Sequence, residues 1–250
     1  MTARKHVLVT GADGLVGSLV MDGLNDRYQL RPLTHEMVDV ADFAALRPHL
    51  DGVDAVVHLA ASAEVDSPWE TVLTANLVGA RNVYEAASEA GVDLVVFASS
   101  NHAVGMYQRD GSLWTDDPAR PRRIGNDVPV RPDSLYGASK AWGEALGRFY
   151  AETTSLRVVC LRIGWVTDDD TVPNSGGDAT IDERRARGMW LSHRDCISLI
   201  GAAVAAPPDV RWAIVYGVSD NPGRWFELDA GRSLLGWEPR DSSEQRLNAG

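Results

Sequence analysis

The sequence predicts an α/β fold built around a parallel sheet. Through the first two-thirds of the 250-residue chain, short β-branched runs alternate with longer segments of helical periodicity, which is typical of consecutive βαβ units. A glycine-rich turn at 10–17 lies directly between the first strand pattern and the first helix pattern. The 44% hydrophobic content is ample for a buried core, and the length suits one large domain.

The hydrophobic periodicity places each element along the chain. Predicted strands cover 6–10, 28–33, 55–59, 94–98, 158–163 and 212–216. Predicted helices cover 14–25, 42–50, 68–90, 134–154, 193–205 and 226–235, with Asp42 as an N-cap. Two stretches, 101–133 and 167–188, show no regular pattern. Because ligands bind at the carboxyl ends of strands in open α/β sheets, we expect these loops to be functional.

Composition excludes several classes of function. The formal net charge of −11 disfavours binding to nucleic acid or to an anionic membrane, which both need a basic surface. The apolar runs are too short to span a bilayer, and the N-terminus lacks the apolar core of a signal peptide, so we expect a cytoplasmic protein. Cys160 and Cys196 lie in apolar runs. They form no disulfide or metal pattern, so we predict packing roles for both and no metal site.

The turn at 10–17 has the residue types of a phosphate-binding loop. Gly11 permits a tight turn, Gly14 lets the backbone approach a pyrophosphate, and Gly17 allows close packing of helix and sheet. The following helix start supplies N–H groups and partial positive charge. The alternative is a purely structural turn. We predict a Rossmann-like, doubly wound sheet with a dinucleotide site, forming one domain over 1–250. Residues 1–163 would be mainly the dinucleotide-binding core, and 164–250 mainly a small substrate-binding portion.

Tyr136 and Lys140 open a predicted helix and are four residues apart, so their side chains share one helical face. A free tyrosine has a pKa of about 10, and general base catalysis near neutral pH requires a drop of roughly three units. A neighbouring ammonium group favours the phenolate. The pair is therefore a candidate for proton transfer, and the alternative is an ordinary surface pair.

These motifs resemble the extended short-chain dehydrogenases/reductases, a family similar to the NAD-dependent epimerases and dehydratases. The resemblance rests on the GxxGxxG spacing of 11–17, the YxxxK spacing of Tyr136 and Lys140, and the segments 38–42, 58–61 and 74–79. It implies that Asp39 contacts the adenine amine and that 58–61 lies beneath the adenosine. The implied cofactor-binding residues are Gly11, Asp13, Gly14, Leu15, Val16, Gly17, Asp39, Val40, Leu59, Ala60, Ala61, Asn76, Tyr136, Lys140 and Ile163.

The end of the second strand decides between NAD and NADP in such proteins. This place reads Leu-Thr-His-Glu at 33–36, with no Asp at the expected position and no arginine cluster. We therefore expect NAD, with NADP possible.

The segments 97–105, 135–140, 189–195, 215–221 and 235–239 resemble those of uronate dehydrogenases and archaeal NAD-dependent glucose-6-phosphate dehydrogenases. These enzymes oxidise C1 of a cyclic sugar to a lactone. The resemblance implies that Tyr136 is the base, that Lys140 lowers its pKa, and that Ser100 rather than Ser99 orients the reacting oxygen. The implied substrate-binding residues are Ser62, Ser100, Asn101, His102, Tyr136 and Arg185. A neighbour of Ser62 could take the place of this serine in the substrate site. Arg184 or Arg187 could likewise replace Arg185 as the cation that binds an anionic sugar.

Two other functions share parts of this pattern. A nucleotide-sugar epimerase or dehydratase would also use Tyr136 and Lys140, but dehydratases usually place an acidic pair where Asn101 and His102 stand. A non-catalytic NAD(P)-sensing protein would commonly lack the tyrosine or the lysine.

The helices at 68–90 and 134–154 correspond to those that pair in many relatives, so a homodimer is expected.

Overall fold

The computed structural model describes residues 4–115, 121–174 and 181–248. These residues form a six-stranded, entirely parallel sheet of order β2-β1-β3-β4-β5-β6. The strands are β1 (His6–Thr10), β2 (Gln29–Leu33), β3 (Ala55–His58), β4 (Leu94–Ser100), β5 (Arg157–Ile163) and β6 (Trp212–Gly217). The strand order reverses between β1 and β3, which creates the crevice where such sheets bind ligands. The predicted Rossmann-like α/β class is confirmed.

Helices cover both faces of the sheet. They are α1 (Leu15–Leu24), α2 (Phe43–Leu46), α3 (Trp69–Thr71), α4 (Gly79–Glu89), α5 (Met106–Arg109), α6 (Leu135–Thr153), α7 (Ile181–Met189), α8 (His193–Val204), α9 (Asp229–Leu235) and α10 (Ser243–Asn248). Two 3-10 turns, Arg47–Leu50 and Asn101–Val104, follow α2 and β4, and a π-helical segment, Val72–Val78, joins α3 to α4. The helix predicted over 68–90 is therefore continuous but underwound in its middle, where the π-helical hydrogen bonds widen the turn.

Two apolar layers enclose the sheet because alternate strand residues point to opposite faces. Val7 and Val9 pack with α1, α8 and α9, while Leu8 packs with α2, α4 and α6. Cys160 and Cys196 are buried free thiols within these layers, in agreement with their predicted packing roles. Among the helices of the described residues, none is long and apolar enough to cross a membrane.

Strand β4 extends further than the predicted 94–98. Ser99 and Ser100 pair with Arg162 and Ile163 of β5, so both serines belong to the sheet. Their side chains consequently face opposite sides of it.

The expectation that 167–188 is irregular is wrong in part, because α7 begins at Ile181. This helix carries Asp182 and Glu183 in its first turn and Arg187 in its last, an arrangement that complements the helix dipole. Its low apolar content concealed it from an analysis of hydrophobic periodicity. Arg185 therefore lies on a helix and not in a loop.

Candidate active site

A cavity of 1250 Å³ opens at the carboxyl edge of the sheet, next to the strand-order reversal. It extends from the glycine turn to α7. Nearly all residues predicted from the sequence line it: Gly11, Asp13, Gly14, Leu15, Val16, Gly17, Asp39, Val40, Leu59, Ala60, Ala61, Ser62, Ser100, Asn101, His102, Tyr136, Lys140, Ile163 and Arg185. Within the described ranges, no group of three or more His, Cys, Asp or Glu side chains is arranged to hold a metal ion.

The glycine turn fits a dinucleotide pyrophosphate. Gly11 has a φ of +66°, and a Cβ there would lie 2.8 Å from the backbone nitrogen of Ala60. A Cβ at Gly17 would lie 2.1 Å from the carbonyl oxygen of Gly11, whereas one at Gly14 would meet that same oxygen at 3.4 Å. Gly14 is thus open towards the cavity, and it begins α1 without any side-chain cap. The uncapped N–H groups of the first helical turn are suited to phosphate oxygens.

Asn76 does not line this cavity, so its predicted contact with the cofactor is not supported by its position. The amide lies behind the cavity wall, where its Oδ1 accepts from the backbone N–H of Ser62 at 2.7 Å. Its Nδ2 donates to the hydroxyl of Ser139 at 2.9 Å. Asn76 therefore connects the loop after β3 to α6, a positioning role for the segment that carries Tyr136.

Tyr136 and Ser100 both line the cavity, and the Ser100 hydroxyl lies near enough to the phenol to influence its pKa. The phenol ring is buried and packs edge-on against the His102 ring, with 5.7 Å between their centroids. Burial raises the pKa of Tyr136 above its usual value of 10.0, and the Ser100 hydroxyl acts in the opposite direction. The predicted lowering of this pKa by Lys140 is therefore not present in the protein alone.

The position of Lys140 explains this difference. Its Nζ donates a 2.7 Å hydrogen bond to the carbonyl oxygen of Ala98 and lies 5.6 Å from the centroid of the Tyr136 ring. Complete burial lowers the pKa of Lys140 to about 8. An ammonium group that is itself close to losing its proton stabilises a phenolate less strongly than a fully charged one.

The two serines at the end of β4 have different partners. The Ser99 hydroxyl donates to Glu144 at 2.5 Å on the opposite face of the sheet. The Ser100 hydroxyl instead donates to Oδ1 of Asn101 at 3.3 Å and accepts from the backbone N–H of His102 at 3.2 Å, and it lines the cavity together with Tyr136. Glu144 also binds Arg162 through two parallel hydrogen bonds of 2.8 Å, all within the core. This arrangement favours Ser100 over Ser99 as the residue at the reacting oxygen.

The three arginines of α7 are also distinguished by their surroundings. Arg185 lines the cavity, with its guanidinium 5.9 Å from the Trp225 ring centroid and 3.6 Å from a carboxylate oxygen of Asp182. Arg187 instead donates to the carbonyl oxygen of Pro173 at 2.9 Å. Arg184 is exposed on the outer face of the helix. Arg185 is therefore the arginine of this helix that lines the cavity.

A family model described as the NAD dependent epimerase/dehydratase family matches residues 7–167. The chain belongs to this family. Within it, the chain is 38% identical to the NAD-dependent glucose-6-phosphate dehydrogenase of Haloferax volcanii, over 96% of this chain and 94% of the relative. It is 39% identical to the L-arabinose 1-dehydrogenase (NAD(P)(+)) of the same organism, over 95% and 97%.

Solved structures of the epimerase/dehydratase family agree with the fold. A crystal structure of a mutant uronate dehydrogenase from Agrobacterium tumefaciens, complexed with NAD, is 33% identical and superposes with a TM-score of 0.82. The match covers 99% of this chain and 89% of that structure. The predicted resemblance to sugar dehydrogenases of this family is thereby confirmed.

Two further residues beside the site, Asp133 and Trp165, were not predicted from the sequence. Asp133 accepts a 2.9 Å hydrogen bond from Nδ1 of His102 and is nearly buried. Burial opposes ionisation of Asp133, but His102 and Arg109 outweigh it and lower the pKa of that carboxyl. Asp133 precedes the serine N-cap of α6, a signal of helix initiation that did not reveal its contact with His102. Trp165, after β5, lines the cavity as well.

Proposed function

We propose that this protein oxidises the C1 hydroxyl of a cyclic aldose-type sugar to a lactone, with NAD⁺ as the hydride acceptor. The observation that carries the proposal is the Tyr136–Ser100 hydroxyl pair inside the cavity that begins at the glycine turn. The similar proteins named above are dehydrogenases of glucose 6-phosphate, L-arabinose and uronates. This agrees with an NAD-dependent sugar dehydrogenase of the short-chain type.

In the proposed reaction, Tyr136 in its phenolate form, which the positive charges of Lys140 and of bound NAD⁺ would favour, accepts the proton of the sugar hydroxyl while Ser100 holds the oxygen in place. NAD⁺, when bound, supplies the carbon that accepts the hydride from C1. The sugar thereby loses one C–H bond and one O–H bond and gains the C=O bond of the lactone. Asn101 and His102 contact ring hydroxyls, and the carboxylate of Asp133 fixes the orientation of the His102 ring. Lys140 supplies positive charge beneath the phenol.

The residues proposed to hold NAD surround the strand-order reversal. The open backbone at Gly14 and the N-terminus of α1 would bind the pyrophosphate. Asp39 and the segment from Leu59 to Ala61 line the part of the cavity proposed for the adenosine.

Arg185 is the proposed binding residue for an anionic group on the sugar. Its planar guanidinium offers paired donors to a carboxylate or phosphate. The guanidinium lies 5.9 Å from the centroid of the Trp225 ring and 3.6 Å from the exposed carboxylate of Asp182. We accordingly favour a uronate or a sugar phosphate as the substrate.

An absorbance assay with NAD⁺ tests the proposed function directly. D-glucuronate, D-galacturonate, D-glucose 6-phosphate, L-arabinose and D-glucose are each incubated with protein and NAD⁺, and NADH is followed in the near ultraviolet. Formation of NADH with at least one sugar supports the proposal. Turnover of a nucleotide sugar without net reduction of NAD⁺ would instead identify an epimerase.

We further propose that the protein acts in the cytoplasm as a homodimer. Exposed apolar side chains lie on α6 and on the helical segment from α3 to α4, which pack against each other: Trp69, Leu73, Val78, Leu135 and Phe149. Exposed large apolar side chains on neighbouring helices are typical of protein interfaces. Light scattering after gel filtration should give twice the 27.1 kDa chain mass, and Phe149→Glu should shift it to that of one chain.

A further inference from the structure

Trp165 stands apart from the other aromatic residues of the protein. Among the described residues, it is the one exposed large apolar side chain that lines the cavity, and 46% of it is exposed. An indole exposed inside a cavity is suited to contact with a ligand, because its large apolar surface is removed from water only when something covers it.

Trp165 is held in place by its backbone. Its N–H donates to the carbonyl oxygen of Met189 at 2.7 Å, and its own carbonyl oxygen accepts from Leu191 at 2.8 Å. The preceding Gly164 permits this approach, since a Cβ there would lie 2.2 Å from the oxygen of Met189. Trp165 is thus fastened to the end of α7, the helix that carries Arg185.

The sheet register places Trp165 beside the proposed reaction centre. Ile163, two residues earlier, is paired with Ser100 across β5 and β4. Hydrogen-bonding side chains also line the cavity, namely Ser62, Ser100, Asn101 and His102, together with the cation of Arg185. A pyranose ring has complementary chemistry, with hydroxyl groups around its rim and an apolar face of C–H groups.

We propose that Trp165 is the platform on which the C–H face of the sugar ring packs. The polarised C–H groups of a sugar are attracted to the electron-rich face of an aromatic ring. Packing on Trp165 orients the ring so that its rim reaches Ser100 and Arg185. This assignment rests on the proposed function, because it requires a cyclic sugar as the substrate.

The test compares Trp165→Ala with Trp165→Phe, which keeps a smaller aromatic face and serves as the matched control. KM and kcat are measured for the most active sugar of the panel, and the Kd for NAD⁺ is measured by calorimetry. We expect Trp165→Ala to raise KM at least about 10-fold and to leave kcat within about threefold of the wild type. This pattern is expected because contact with Trp165 would stabilise the bound substrate and the transition state equally. Trp165→Phe should keep KM within about threefold of the wild type. The Kd for NAD⁺ should stay within about twofold in both variants.

Three results overturn the assignment while leaving the proposed function intact. They are an unchanged KM in Trp165→Ala, an equal rise of KM in both variants, and a weakened Kd for NAD⁺, which would place the indole against the cofactor. If the wild type reduces NAD⁺ with no sugar of the panel, the proposed function fails and Trp165 loses its proposed ligand with it. Thermal melting of both variants verifies that they are folded.

Discussion

Lys140 lies on α6, one turn beyond Tyr136, and its Nζ donates a 2.7 Å hydrogen bond to the carbonyl oxygen of Ala98 on β4. Lys140 therefore fixes α6 against β4 at the level of the Tyr136–Ser100 pair. In the protein alone, burial keeps Tyr136 protonated and brings the pKa of Lys140 to about 8. The acid–base properties of both groups thus depend on what fills the cavity.

Stability should depend on pH through Lys140. Its pKa is about 8 in the folded chain against 10.5 for an unperturbed lysine, so the unfolded chain binds more protons between these values. Stability consequently rises with pH in this window. Between pH 8 and 9.5 we expect the wild type to gain roughly 1–2 kcal/mol of unfolding free energy relative to Lys140→Met. Urea denaturation of both proteins at the two pH values measures this, and parallel pH profiles would contradict the buried, readily deprotonated lysine.

Removal of the Tyr136 hydroxyl should abolish turnover with little effect on cofactor binding. Tyr136→Phe loses the proton acceptor, and we expect kcat to fall at least about 10³-fold. The Kd for NAD⁺, measured by calorimetry, should stay within about twofold. Tyr150→Phe on the same helix lies outside the cavity and is the control. Substantial activity in Tyr136→Phe would remove this residue from the reaction.

Gly14 and Gly17 should respond differently to alanine. A Cβ at Gly14 makes only an ordinary contact of 3.4 Å, whereas one at Gly17 would lie 2.1 Å from the oxygen of Gly11. Gly14→Ala should therefore keep the wild-type Tm within about 3 °C but weaken NAD⁺ binding at least about 10-fold, because the methyl group projects towards the pyrophosphate. Gly17→Ala should lower the Tm itself by about 5 °C or more. Undiminished NAD⁺ binding by Gly14→Ala would place the pyrophosphate elsewhere.

Arg185 and Arg184 offer a matched pair of substitutions on one helix. Arg185 lines the cavity and Arg184 is exposed. We expect Arg185→Ala to raise KM at least about 30-fold for D-glucuronate or D-glucose 6-phosphate, and less than about threefold for L-arabinose. Arg184→Ala should leave KM within about twofold for both kinds of sugar. Steady-state kinetics checks this, and equal losses for charged and neutral sugars would exclude an anion site at Arg185.

Local patterns in the sequence determined the parallel α/β architecture, the glycine turn and the pairing of Tyr136 with Lys140 on one helical face. These features depend on spacing along a strand or helix, which the backbone converts directly into geometry. Helix α7 escaped prediction because charged residues, and not an apolar stripe, characterise it.

The tertiary structure alone decided which side chains face the cavity. It turned Ser99 towards Glu144 and Ser100 towards the cavity, and it placed Asn76 behind the wall. It also decided that Lys140 binds Ala98 and that burial raises the pKa of the phenol. These outcomes arise from contacts between residues distant in the chain and from the exclusion of water, neither of which is encoded in a local pattern.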